Sequence, residues 1–165
     1  MSYLVRPLTL PYARRMIGWA YPPPYNVYSL TAESLPVLLN PDFRYHVVLG
    51  LGGELIGFCC FGEDARVCGG DYSRGEPWVL DVGVGIRPDL TGQGRGKEFV
   101  LAVLKFASSA FLPGVFRATI ADFNQRSLRT FRKCGFESNH RFYRQKDGQE
   151  FIQLERPAFP AGGLV

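Results

Sequence analysis

The sequence predicts an α/β (α+β) fold of one domain over residues 1–156, its elements in the order β-α-α-β-β-β-α-β-α-β-β. Three observations lead there. Apolar residues recur at every second position from Trp78 to Ile86, the period of a strand with one buried face. A proline-bounded, glycine-rich turn then leads from that strand into a helix. Two short apolar stretches fold back on themselves around Gly52-Gly53, and two more around Asp147-Gly148, as hairpins do.

Taken in order, residues 3–8 form a first strand and residues 10–20 a helix, with Ala13, Ile17 and Ala20 spaced at three or four. A short second helix is expected between residues 32 and 39. Thr31 or Ser34 would cap it, and Pro36 favours the later start because proline is tolerated only in a first turn. The acid of a capping box is missing, since Ser34 stands three residues after Thr31. Residues 45–51 and 54–61 make the first hairpin. The strand from Trp78 ends near Arg87, because Pro88 has no N–H to continue a ladder. A helix follows over residues 95–110, then a strand over 115–123. Asn124 suits the cap of the next helix, and Gly135 suits the left-handed residue beyond its end. Residues 141–145 and 150–154 close the chain as a hairpin, and 157–165 form a loosely ordered tail.

Composition narrows the function. A chain of 165 residues that is 46% hydrophobic can bury a substantial core. The most apolar stretch, 47–61, is broken by Gly52-Gly53-Glu54 and reads as a hairpin rather than a membrane span. No basic segment followed by an apolar run opens the chain. The four cysteines, Cys59, Cys60, Cys68 and Cys134, show no metal-ligand spacing, which fits a reducing cytoplasm and no metal site. Cys134, at a helix end before Gly135-Phe136, reads as a packing residue. The net charge is +4, and Arg126, Arg129, Arg132 and Lys133 lie on neighbouring turns of one helix. A solvated basic face, attraction of ligand phosphates and nucleic-acid binding all suit such a run; nucleic acid is disfavoured for want of any helix-turn-helix or aromatic RNA-binding pattern.

The loop Gly92-Gln93-Gly94-Arg95-Gly96-Lys97 brings backbone N–H groups to the positive end of a helix dipole, an arrangement that binds phosphate. It is neither a Walker A loop, since Glu98 follows Lys97 and Thr91 stands where the first glycine belongs, nor a dinucleotide fingerprint, whose last gap is two residues. The run from Ile86 through Pro88 to Gly92, Gly94 and Gly96 resembles motif A of the GNAT superfamily of acyl-CoA N-acyltransferases. Thr91 departs from the Gln or Arg usual there. Asn124, Ser127, Phe131, Gly135 and Phe136 resemble motif B, N-x-x-S/A-x-x-x-Y-x-x-x-G-F, at the interval the family shows.

The resemblance spans most of the chain. It implies a single mixed, mostly antiparallel central sheet with four flanking helices, and transfer of an acetyl group from acetyl-CoA to the primary amine of a small molecule or peptide. It further implies that Val84, Gly85 and Ile86 pair with the pantetheine arm, with Gly83 and Gly85 leaving that strand face bare. Gly92, Gln93, Gly94, Arg95, Gly96 and Lys97 would hold the pyrophosphate. Asn124, Ser127 and Phe131 complete the coenzyme A site, and homodimers are frequent in the family. The two glycines of the strand also suit a bulge or a packed neighbour.

The acid and base depart from the pattern. Many members carry a Tyr general acid where Phe131 stands, and a Glu where Thr119 stands. Asp81, on the strand face shared with Gly83 and Gly85, is the best remaining base, and hydrogen bonding to a neighbouring loop is its structural alternative. Tyr143, on the late hairpin, is a candidate proton donor; a base-free route through water is also open. Tyr25 and Tyr28, in the aromatic and proline-rich stretch 19–28, would line the acceptor pocket. The competing readings are a coenzyme A-binding module without catalysis and a nucleic-acid-binding protein.

Overall fold

The computed structural model describes residues 2–73 and 78–158. Seven strands form one sheet in the order β1-β2-β3-β4-β5-β7-β6: β1 (Tyr3–Pro7), β2 (His46–Gly50), β3 (Leu55–Phe61), β4 (Val79–Ile86), β5 (Val115–Ala121), β6 (Glu137–Tyr143) and β7 (Glu150–Pro157). Every neighbouring pair is antiparallel except β4 and β5. That parallel pair needs a crossover, which the helix α3 (Gly96–Phe111) supplies. The predicted order and the mixed, mostly antiparallel sheet are what the structure shows.

Strand alternation sorts the side chains into two layers. Leu80, Val82, Phe116, Ala118, Ile120, Ile152 and Leu154 face α3 and the helix α4 (Gln125–Lys133), burying Phe99, Val103, Leu104, Leu128 and Phe131 between them. On the other side, Val47, Leu49 and Leu55 meet α1 (Leu10–Met16) and α2 (Leu35–Leu38) through Ala13, Met16 and Leu38. Beyond them, the same side of β5, β7 and β6 is covered by residues of the long β3–β4 connection, Val67 among them.

Local differences from the sequence reading have simple causes. The first helix stops at Met16 rather than running to Ala20, because Ile17 is extended and Gly18 takes a left-handed φ of 97°. The second begins as a 3-10 turn at Ala32–Ser34, where the Ser34 hydroxyl accepts from the Thr31 N–H in place of the absent acid. At the far end, β7 runs to Pro157 and the Ala158 N–H donates to the Gly114 carbonyl, so these two residues belong to the sheet and not to a tail. The rest of the expected tail lies outside the described residues.

Candidate active site

The central feature is where β4 and β5 part. They pair only at Val79–Val115, Leu80–Phe116 and Asp81–Arg117, although β4 continues to Ile86 and β5 to Ala121. β4 stays paired to β3 along the whole of this stretch. Gly62 N–H donates to the Asp81 carbonyl and Arg87 N–H to the Ile56 carbonyl, so the odd-numbered residues of β4 spend their main-chain groups on β3. By the alternation of an antiparallel ladder, Val82, Val84 and Ile86 turn theirs toward β5, which has moved away. The result is a wedge-shaped opening with unpaired strand edge on one lip.

At the wide end of that opening sits the glycine loop. Gly92 and Gly94 have φ of 71° and 77°, the left-handed backbone that other residues adopt at a cost of about 1–2 kcal/mol. Gly96 has a different job: a Cβ there would lie 2.8 Å from Thr130 Oγ1, so its absence lets α3 and α4 approach closely. Gln93 donates to the Asp89 carbonyl, and Thr91 to the Pro88 carbonyl, stiffening the turn before the helix. The first turn of α3 then presents N–H groups that have no carbonyl four residues earlier within the helix. Lys97 is exposed on this turn, and the Arg126 guanidinium lies 3.8 Å from where a Gly92 Cβ would stand.

The loop between α1 and α2 closes over the opening. Tyr21, buried, donates from its hydroxyl to the Ile86 carbonyl at 2.6 Å, on the β4 lip. Burial pushes the Tyr21 phenol up to about 12, with Arg126 opposing, so it stays a donor. Tyr25 and Tyr28 pack against Phe123 at ring distances of 6.1 and 6.0 Å, on the β5 lip, and Arg126 lies 4.3 Å over the Tyr25 ring. The Asn124 amide donates to the Tyr28 hydroxyl at 3.4 Å while its Oδ1 caps α4 through the Ser127 N–H. Burial raises the Tyr28 phenol and the bond from Asn124 opposes it.

The sequence profile of the Acetyltransferase (GNAT) family matches residues 10–136, from α1 through the end of α4. The chain belongs to that family. No curated protein matches it in sequence. Solved structures share its fold at low identity: a GNAT-family acetyltransferase from Bacillus anthracis at 15% identity, with 96% of each chain covered and a TM-score of 0.73. A spermidine N-acetyltransferase SpeG chimera from Vibrio cholerae and hSSAT has 16% identity, 100% of each chain covered and a TM-score of 0.68. The spermidine/spermine N-acetyltransferase SpeG from Vibrio cholerae, in complex with manganese ions, has 15% identity and a TM-score of 0.64, with 95% of this chain and 93% of that one covered.

In this GNAT protein the structure gathers Val84, Ile86, Gly92, Gln93, Gly94, Arg95, Gly96, Lys97, Asn124, Ser127, Tyr25 and Tyr28 around one opening. Four other expected residues stand differently. Gly85 gives its main chain to Phe58 in β3, and a Cβ on it would lie 2.3 Å from the Phe58 ring, so its bareness serves a packed neighbour. Phe131 is 2% exposed and packs edge-on against Phe136 in the main core. Tyr143 is 68% exposed on the edge strand, with β5 and β7 between it and the opening.

Asp81 is the largest correction. Its carboxylate is 1% exposed and accepts from Arg117 at 2.6 and 2.9 Å and from Arg66 at 2.9 Å. Two guanidiniums hold the charge and fill the lone pairs that a base would need. Strand periodicity put Asp81 on the correct face but carried no sign of Arg117, 36 residues later on a neighbouring strand, as its partner. Thr119, two residues further along β5 on the same face, bonds the hydroxyl of Tyr72 at 2.9 Å, a residue the sequence reading did not single out. A polar cleft of about 310 Å³, lined by Asp71, Ser73, Arg117, His140, Gln153 and Glu155, opens beside this network.

Proposed function

We propose that the protein transfers an acetyl group from acetyl-CoA to the primary amine of a small molecule or peptide. The observation that carries this is the parting of β4 and β5 with the glycine loop at its wide end. The donor's chemistry fits the residues present. Gly92 to Lys97 and the first turn of α3 suit a diphosphate, with Arg126 as a further cation. The main chains of Val84 and Ile86 suit the amides of an extended arm, with one acceptor, the Ile86 carbonyl, already taken by Tyr21. When bound, the thioester supplies an activated acetyl group to an amine nucleophile.

The chain's own contributions are position and shielding. Tyr25, Tyr28 and Phe123 form an aromatic wall along the acceptor side, and Tyr21, from the strap of residues 19–30, covers the Ile86 carbonyl on the β4 lip. The SpeG neighbours are spermidine N-acetyltransferases. Around this wall, however, Asp122 and Glu150 are engaged by Arg141, and Asp147 by Arg144, while Arg126 adds a positive charge. An acceptor with a single amine suits that balance better than a polycation. A carrier-binding module without turnover is the second reading, favoured by the paired Asp81 and by Phe131.

Calorimetry with acetyl-CoA tests the donor site. Binding in the micromolar range is expected for the native chain, and a loss of at least about tenfold in Gly92→Val/Gly94→Val, which blocks the left-handed backbone of the loop. Affinity that survives both substitutions removes the site. Thiol release in the presence of an amine and peptide library, with products identified by mass, then separates the enzyme from the binding module.

A further inference from the structure

We infer that Tyr72 is the proton-transfer residue of this site, its hydroxyl held over the opening by Thr119 and by the main chain of Val67. The inference rests on the acetyltransferase reading and adds which side chain moves the proton.

Amide formation from a thioester has a definite proton balance. The nitrogen lone pair forms the C–N bond, the C–S bond breaks with its electrons on sulfur, and the nitrogen's surplus proton must end on sulfur. A group at the opening that gives a proton on one side and takes one on the other meets that demand without any further reactant. Asp81 is committed to two guanidiniums, Phe131 has no proton and is buried, and Tyr143 stands at the sheet edge.

Tyr72 has the position and the free valence. Thr119 lies two residues beyond the last β4–β5 pair, on the β5 lip, and its Oγ1 is 2.9 Å from the Tyr72 hydroxyl. The Val67 N–H donates to the same phenol oxygen at 2.9 Å. A phenol has one proton and two lone pairs. The bond to Thr119 can run in either direction; when Thr119 is its donor, with Val67 on the other lone pair, the Tyr72 proton is available to a ligand. The Arg117 and Arg66 guanidiniums lie 4.6 and 5.2 Å from the ring centre, and both are fixed by Asp81. Asp81 is thus a positioning residue: it orients the two cations that hold the Tyr72 ring. The Tyr72 hydroxyl gives its proton to the departing sulfur and recovers one from the nitrogen, and so ends each turnover unchanged.

The test is Tyr72→Phe, which keeps the ring between its guanidiniums and removes only the hydroxyl. With an acceptor found by the library screen, kcat should fall by about 100-fold or more, while the calorimetric Kd for acetyl-CoA stays within about twofold. A second measurement uses the unaltered chain without turnover: the 13C ζ-carbon signal of Tyr72, assigned through its contact with Thr119, should move on titration with coenzyme A. A kcat in Tyr72→Phe within about threefold of native, or a Tyr72 signal unmoved at saturating coenzyme A, overturns the inference. Failure of the native chain to bind acetyl-CoA overturns the acetyltransferase reading itself, so the two failures are distinguishable.

Discussion

A carboxylate buried within a sheet persists as a charge only where cations meet it, and Asp81 meets two. Its replacement by Asn keeps the shape and removes the charge, which takes from the buried Arg117 guanidinium the carboxylate that it bonds and leaves Glu155, opposite it on β7, as its neighbouring anion. Urea denaturation of Asp81→Asn should show a stability loss of about 3–5 kcal/mol, the range for breaking a buried pair on one side. A loss below about 1 kcal/mol would mean that the pair does little for the fold. His46 shows the opposite behaviour. Burial against Phe61 and Phe106 lowers its pKa, with its bond to the Arg44 carbonyl opposing. The unfolded chain therefore binds this proton more readily than the folded one. Its contribution to stability is present above the ordinary value of about 6.5 and is lost as pH falls below it. Melting temperatures should drop between about pH 7.5 and 5.5, and drop less in His46→Gln.

At the scale of elements, α3 and α4 touch where one residue has no side chain. A methyl on Gly96 would meet Thr130 Oγ1 at 2.8 Å and Cγ2 at 2.9 Å, while the Thr130 Cβ is at an ordinary 3.5 Å. Gly96→Ala should therefore cost about 1–3 kcal/mol, as overpacking does, and Thr130→Ala in the same chain should return most of it. A double-mutant cycle by thermal or urea unfolding measures this coupling. Additive effects would show that the helices part easily here. This contact also shows the limit of reading elements from sequence. The alternation from Trp78 to Ile86 and the caps Asn124 and Gly135 placed β4 and α4 correctly, because those signals are local. The reason for Gly96 was hidden: its neighbour Thr130 comes from the next helix but one strand away, and no local pattern distinguishes a glycine needed for conformation from one needed for proximity.

For the molecule as a whole, the same division holds. The element order was legible throughout, and so was the glycine loop with Asn124 beside it. Three things depended on tertiary register: which main-chain groups of β4 face the gap, the guanidinium pair on Asp81, and Tyr72 reaching Thr119 from a connection without periodicity. Phe131 was misplaced because a motif position specifies a helix turn and not the depth at which that turn is packed.

Three residue pairs join the four-strand half of the sheet to the three-strand half, and Tyr21, Tyr25 and Tyr28 form a clasp across the remainder. A seam this short works as a spine, and whatever lodges beyond it while gripping both covers adds a binding stitch. Amide exchange along Val82–Ile86 and Ala118–Ala121 should then slow together when acetyl-CoA is present, as one event and not as two local ones. Protection confined to the glycine turn would mean that the covers never shared the load.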